Sequence, residues 1–181
     1  PIHDPNRGLE LRLPASSRRD PALFANLGRG KFVFTNWDRE LIFFDLNTGQ
    51  DFVPGGTVPK QLTGRIGDLH VDKYDVVWVI TNEGLWKIDW KNSTAKNIGK
   101  ESGFKNDQFQ SIYEDKNGRF WIGNQGGGLN RFDRKTGVFQ QFLSDPDNPN
   151  TISNNYIFSI YEDNDGILWI GTWGGGLNRF N

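Results

Sequence analysis

The chain has 181 residues, with 21 basic and 22 acidic side chains, 7 Trp, 14 Phe, 4 Tyr, 22 Gly and no Cys. A net charge of −1 spread over interspersed signs offers no electrostatic footprint for nucleic acid or an anionic membrane. The lack of Cys removes disulfides and thiolate metal sites, and no apolar run approaches the roughly 20 residues of a membrane span.

Abundant aromatics and glycines point to short strands and tight turns rather than helices. No signal peptide is visible and the first residue is Pro1 rather than Met, so the sequence reads as a trimmed piece whose targeting segment could have been removed. In chain order, Gly8–Leu13 (G-L-E-L-R-L) alternates like a strand. A first set of strands is expected at Leu23–Leu27, Lys31–Thr35, Glu40–Asp45 and Gln50–Val53, with Asn47-Thr48-Gly49 as the third turn. A second set follows: Asp68–Val71, Val76–Thr81, Gly84–Asp89 and Ala95–Ile98. In the third copy, Phe120-Trp121-Ile122 is the apolar strand and Val138–Phe142 a fourth strand after the turn Asp133–Gly137. The last copy reads Ile157–Glu162, Ile167–Thr172 and Leu177–Phe180, separated by the turns Asp163–Gly166 and Trp173–Gly176.

Ser111–Phe132 and Ser159–Phe180 are near-copies 48 residues apart. That period is too long for a helical-pair solenoid and suits a four-stranded propeller blade. The strands Phe120–Ile122 and Leu168–Ile170 are apolar consecutively, as a sheet covered on both faces requires. With Phe32, Trp78, Trp121 and Trp169 as anchors, the expectation is an all-β propeller of about four four-stranded blades, near 15–58, 59–100, 101–150 and 151–181. The last blade ends after three strands, and 8–13 is a candidate for its outer strand. A compact four-bladed ring, an eight-bladed ring of two chains and an open piece of a longer protein all fit. Aromatic-rich blades are usual in larger rings, which favours the last two, and an open end would leave an apolar face that invites association.

The string Tyr-Glu-Asp-x-x-Gly-x-x-Trp-Ile-Gly-x-x-Gly-Gly-Gly-Leu-Asn-Arg-Phe, with Thr136-Gly137-x-Phe139 and Asp145-Pro146-x-Asn148-Pro149, strongly resembles the two-component regulator propeller repeat. The likeness is close over Gln108–Asn181, recognisable over Arg65–Gly99 and weak before Asn47. It implies the extracytoplasmic, periplasmic sensor region of a bacterial hybrid histidine kinase, often a regulator of polysaccharide use. The kinase, receiver and DNA-binding parts of such proteins are not in this sequence.

Catalysis finds little support. Propeller lyases with related repeats use a His base, but the two histidines here are His3, near the terminus, and His70, within an expected inner strand. A lone His is more often a packed structural residue, and no Ser/His/Asp set or Gly-x-Ser-x-Gly is present. The glycines at 126–128 and 174–176 do not open helices, so a phosphate cradle fails its context test. Asp163-Asn164-Asp165-Gly166 lacks the remaining ligands of a calcium loop. It is similar to a sialidase Asp-box turn, but a tight hairpin turn explains it better. The expectation is therefore no catalytic residue, no metal and no cofactor. Arg131 and Arg179 are expected to pair with Glu114 and Glu162.

Ligand binding is the better reading. The turn between the second and third strands of each blade should emerge on the same rim as the link to the next blade. That rim gathers Trp37, Asp38, Asn82, Glu83, Asn124, Gln125, Thr172 and Trp173, with Asn155 and Tyr156 entering the last inner strand. Aromatic faces beside amides suit a sugar, whose ring stacks while its hydroxyls pair. Trp173 stands where the third copy has Gln125, so the fold does not demand Trp there. The expected partners are an oligosaccharide and either a second chain or the remaining blades of a longer protein. Alternatives are a structural or oligomerisation module without its own ligand, and a lyase or glycosidase.

Overall fold

The computed structural model describes residues 21–36, 40–59, 61–98 and 108–180. They form fifteen strands and, among the described residues, no helix. The first sheet holds β1 (Pro21–Gly28), β2 (Lys31–Asn36), β3 (Leu41–Asp45) and β4 (Gln50–Phe52). The second holds β5 (Ile66–Val71), β6 (Val77–Thr81), β7 (Gly84–Asp89) and β8 (Thr94–Asn97). The third comprises β9 (Phe109–Glu114), β10 (Phe120–Asn124), β11 (Leu129–Phe132) and β12 (Phe139–Phe142). The fourth stops at three strands: β13 (Ile157–Glu162), β14 (Leu168–Thr172) and β15 (Gly176–Phe180). Every sheet is an antiparallel meander in chain order, as short hairpin connections dictate. The inner strands β1, β5, β9 and β13 pack side by side in that order, so the blades form an open arc.

One aspartate per repeat builds the first turn of blades two to four. Asp115 Oδ1 accepts the N–H groups of Asn117 and Arg119, at 3.0 and 2.8 Å, while Oδ2 accepts the indole N–H of Trp121 at 2.8 Å. Asp72 and Asp163 repeat the arrangement, taking Trp78 and Trp169 at 2.9 and 2.7 Å. The carboxylate thus ties the turn to the tryptophan of the next strand. This accounts for the spacing Asp-x-x-Gly-x-x-Trp, and Gly118 and Gly166 supply its positive φ of 76° and 81°. In the second blade Asp75 takes that position at φ 63°. Its short polar side chain is among the few that tolerate such a backbone.

The core lies between the sheets. Leu27, Val33, Leu41 and Phe43 of the first blade bury against Leu62, Leu69, Val77, Val79 and Ile88 of the second. Trp78 and Ile80 point the other way, into a cluster with Phe109, Phe120, Ile122 and Phe132 of the third blade. Trp121 and Leu129 in turn meet Ile152, Ile157, Leu168 and Ile170. Alternate residues of one strand therefore serve two neighbours, which is why these strands are continuously apolar.

Two sequence expectations shift by one face. Val33, not Phe32, is the register equivalent of the tryptophan anchors. Val33 pairs with Phe43 two residues before Asp45, as Trp121 pairs with Arg131 two residues before Asp133. A one-residue slip moves a side chain to the opposite face of the sheet. Glu114 stands opposite Phe120 while Arg131 stands opposite Trp121, so the expected ion pair spans two faces. Arg131 instead donates to Gln140 across the strand pair, and Glu162 accepts the Lys116 N–H at 2.8 Å. Glu114 pairs with Arg134 at 3.0 Å and with His70 at 3.2 Å. The run 8–13 lies outside the described residues.

Candidate functional site

A single backbone pattern frames the rim in three blades. The N–H groups of Asn82, Gln125 and Trp173, the first residues beyond β6, β10 and β14, donate to the carbonyls of Arg65, Gln108 and Tyr156 at 3.0, 2.9 and 3.0 Å. These hydrogen bonds join the second turn of each blade to the start of its inner strand, so both segments do share a rim. Beside each bond the inner strand carries an extra residue: Gly67, Gln110 and Phe158 fall at the register shifts of β5, β9 and β13. A bulge of this kind re-aims one side chain while the ladder continues on either side.

Each framed pair holds different chemistry. In the second blade it is Asn82 beside Gly67, with the Asn82 Oδ1 accepting the Arg65 N–H. In the third, the Gln125 amide donates to the Gln110 amide oxygen. In the fourth, Phe158 and Trp173 lie with ring centroids 5.3 Å apart at 33°. Trp173 is 67% exposed and Phe158 43%. An amide pair in one repeat is thus an aromatic pair in the next, on the same hydrogen-bonded frame. Phe158 escaped the sequence reading. Its signal was available, since position 110 changes from Gln to Phe across the 48-residue offset just as position 125 changes from Gln to Trp.

The remaining candidates divide into exposed and structural. Tyr156 is half-exposed, bridges to Gln125, and donates its N–H to Asn154 Oδ1 at 2.8 Å. Asn155 closes the joint between blades three and four. Its carbonyl accepts the N–H groups of Gly126 and Gly128 at 3.1 and 2.8 Å, and its Oδ1 accepts that of Ser144 at 2.7 Å. Asn124 is fully buried against Gly127, where an added Cβ would come within 2.8 Å of its side chain. Thr172 Oγ1 donates to the Gly176 carbonyl at 3.0 Å and lies 3.1 Å from Ser153 Oγ. The main chain of Glu83 braces its turn, donating to Thr81 Oγ1 and accepting from Asn97 Nδ2. Trp37 and Asp38 lie outside the described residues. The structure therefore gathers Tyr156, Phe158 and Trp173 on one blade, with Gln110 and Gln125 on its neighbour. The link between them is braced by its own turns and anchored by buried Ile152.

Electrostatics at the first turns is structural. The Asp163 carboxyl is held below the ordinary carboxylate range, chiefly by the Trp169 indole N–H and then by the Ile167 N–H. Asp68 is pushed up by burial, against the opposing pull of the Ile112 N–H that it accepts across the blade boundary at 3.0 Å. The His70 ring packs edge-on to Phe120 at 5.6 Å and joins Glu114, whose other oxygen meets Arg134. Among the described residues no group of three His, Cys, Asp or Glu side chains is arranged to hold a metal ion.

The family described as two component regulator propeller matches residues 103–126 and 151–174, the third and fourth repeats up to their second turns. Over those two stretches the chain is similar to the two-component regulator propeller repeat. Solved structures extend the likeness to the fold. Two extracellular domains from B. thetaiotaomicron, described as belonging to hybrid two component systems, superpose with TM-scores of 0.65 and 0.68 at 24% and 18% identity, over 88% and 92% of this chain. The chain spans about a fifth to a quarter of their length, 20% and 24%. The WD40 β-propeller domain of Doa1 superposes with a TM-score of 0.65 at 13% identity, over 87% of this chain and 49% of that one. Likeness at these identities establishes the propeller fold. No curated protein matches the sequence. No helix among the described residues is long and apolar enough to cross a membrane.

Proposed function

We propose that these regulator propeller repeats form part of the extracytoplasmic sensor region of a bacterial two-component regulator, and that their rim recognises a carbohydrate. The observation that carries this reading is the framed rim pair. Its backbone hydrogen bonds are constant while its side chains change from amide–amide to Phe158–Trp173, and variation on a rigid scaffold is how loops carry recognition. Exposed Trp173 and Tyr156 offer faces for a sugar ring, and the Gln110 and Gln125 amides offer donors and acceptors for hydroxyls. The extracellular domains of the B. thetaiotaomicron systems support the compartment and the sensing role. Binding at the rim would bear on Tyr156 and Asn155, whose backbone joins blades three and four, and so bias how those blades sit.

A thermal-shift titration with neutral oligosaccharides tests the reading, because a ligand that binds the native state raises Tm by mass action. The expected result is a dose-dependent rise that Trp173→Ala abolishes while its ligand-free Tm stays within a degree or two. A rise that survives Trp173→Ala and Phe158→Ala places the sugar elsewhere. No rise across the panel favours the second reading, a structural blade set whose Phe158–Trp173 pair is an interface element, consistent with the exposed face beside it.

A further inference from the structure

We infer that the cleft where the second and third blades meet, on the rim opposite Trp173, binds a carboxylate or sulfate group carried on a larger molecule. In an antiparallel meander the first and third turns of a blade emerge together, on the far rim from its second turn. There the first turns of blades two and three and the third turn of blade three enclose a cleft of about 450 Å³, within the ordinary size of a ligand pocket. Its lining holds five cations, Lys73, Arg119, Arg131, Arg134 and Lys135, against one acid, Asp133. Both flanking blades have four strands, so the cleft belongs to a complete inter-blade junction.

Two of the five cations are spent on the fold. Arg134 donates to Asp72 at 2.9 Å and to the Gly118 carbonyl at 2.8 Å, and meets Glu114 at 3.0 Å. Its guanidinium lies 4.5 Å from the Phe120 ring centroid, which fixes it as the floor of the cleft. Arg119 pairs with buried Asp115 at 2.6 Å. Asp133 accepts the N–H groups of Lys135 and Thr136 at 2.7 and 3.3 Å, so its carboxylate is held by its own turn.

The other three cations have no carboxylate partner among the described residues, and the next junction shows why for Lys73. Its counterpart Lys116 donates to the carbonyls of Asp163 and Asn164 in the following blade, at 2.6 and 3.0 Å. At the earlier junction Arg134 makes the clasp through Gly118 instead. The Lys73 ammonium lies beside Gly118 and over the exposed Tyr74 ring, 5.5 Å from its centroid. A ring face orients a cation without cancelling its charge. Arg131 donates to the neutral Gln140 amide, and the Lys135 side chain is exposed. Three uncancelled cations around one cleft suit the several acceptor oxygens of a single oxyanion.

An NMR titration of backbone amide resonances at fixed ionic strength tests the site, with glucuronate, a sulfated glucose, inorganic sulfate and neutral glucose as probes. The expected result is a dose-dependent shift at Lys73, Gly118 and Lys135 with glucuronate or the sulfated glucose, weakening as salt rises. Lys73→Gln combined with Lys135→Gln should raise Kd at least about tenfold, as for lost charge-assisted hydrogen bonds. Both side chains are exposed, so the variant should keep its fold. Arg179→Gln, which removes an exposed charge from blade four, should change nothing. No shift with either charged sugar, equal shifts with neutral glucose, or indifference to the double substitution would overturn the inference. Inorganic sulfate binding as tightly as the sulfated glucose would also overturn it, leaving an adventitious ion only. Trp173→Ala should leave these shifts in place, so this inference and the rim reading fail separately.

Discussion

The third and fourth blades are nearly the same sequence in two environments. Phe120-Trp121-Ile122-Gly123 and Leu168-Trp169-Ile170-Gly171 share turn, register and the aspartate that holds the tryptophan indole. Trp121 is buried because the fourth blade stands beside it, while Trp169 is only half-buried. Local structure in a blade is thus written within the repeat, and burial is conferred by the neighbour. This is the nearest-neighbour logic of stacked repeat proteins, in which each unit contributes its own stability and an interface contribution.

The largest expected difference between the two blades is at the paired leucines. Leu129→Ala should cost roughly 2–5 kcal/mol in urea unfolding, as for a buried leucine leaving a cavity. Leu177→Ala in the dilute single chain should cost about 0.5 kcal/mol or less, as for an exposed site. Equal costs would break the comparison.

A smaller difference is expected at the paired glycines. Gly123→Ala drives a Cβ into Ile157 and Ser111, an overpacking expected to cost about 1–3 kcal/mol. Gly171→Ala meets chiefly the rotatable Ser159 hydroxyl and should be far milder in thermal melts. Similar Tm losses for both would mean that the blade interface is looser than the contacts around Gly123 imply.

The smallest effect concerns pH. The folded-state pKa of Asp163 lies below its ordinary value of 3.8, so its carboxylate contributes stability above that pH and loses it as pH falls through the folded value. The Tm gap between the native chain and Asp163→Asn should therefore be widest near neutral pH and shrink below about pH 4. A gap constant from pH 7 to 3 would show that folding does not lower the Asp163 pKa.

Much of this architecture was legible in the residues. The 48-residue offset, the Asp-x-x-Gly-x-x-Trp spacing and the consecutive apolar strands identify four-stranded units, because hairpin turns and two-sided burial leave short-range signatures. The weakest repeat was misread by one residue at Phe32, since an aromatic there resembles the anchor and only pairing with Phe43 and Phe44 sets the face. The Arg131–Glu114 pair failed for the same reason: adjacency in sequence motifs does not specify which face of a sheet a side chain takes. On the rim, the repeats pointed to Trp173 and Gln125 but not to their partners Phe158 and Gln110, which are fifteen residues away and meet them through a bulge.

The sequence alone determined the repeat, its turns and the all-β blade, because these rest on hydrogen bonds and φ preferences among residues within a few positions of one another. Only the tertiary structure decided which leucine is core and which is bare, that Asn124 is buried in its own turn while Asn155 braces the joint between blades, and that Phe158 lies against Trp173. Those outcomes depend on what stands next to a blade, and neighbouring blades meet through side chains some 45 residues apart, a distance at which no local pattern reports contact.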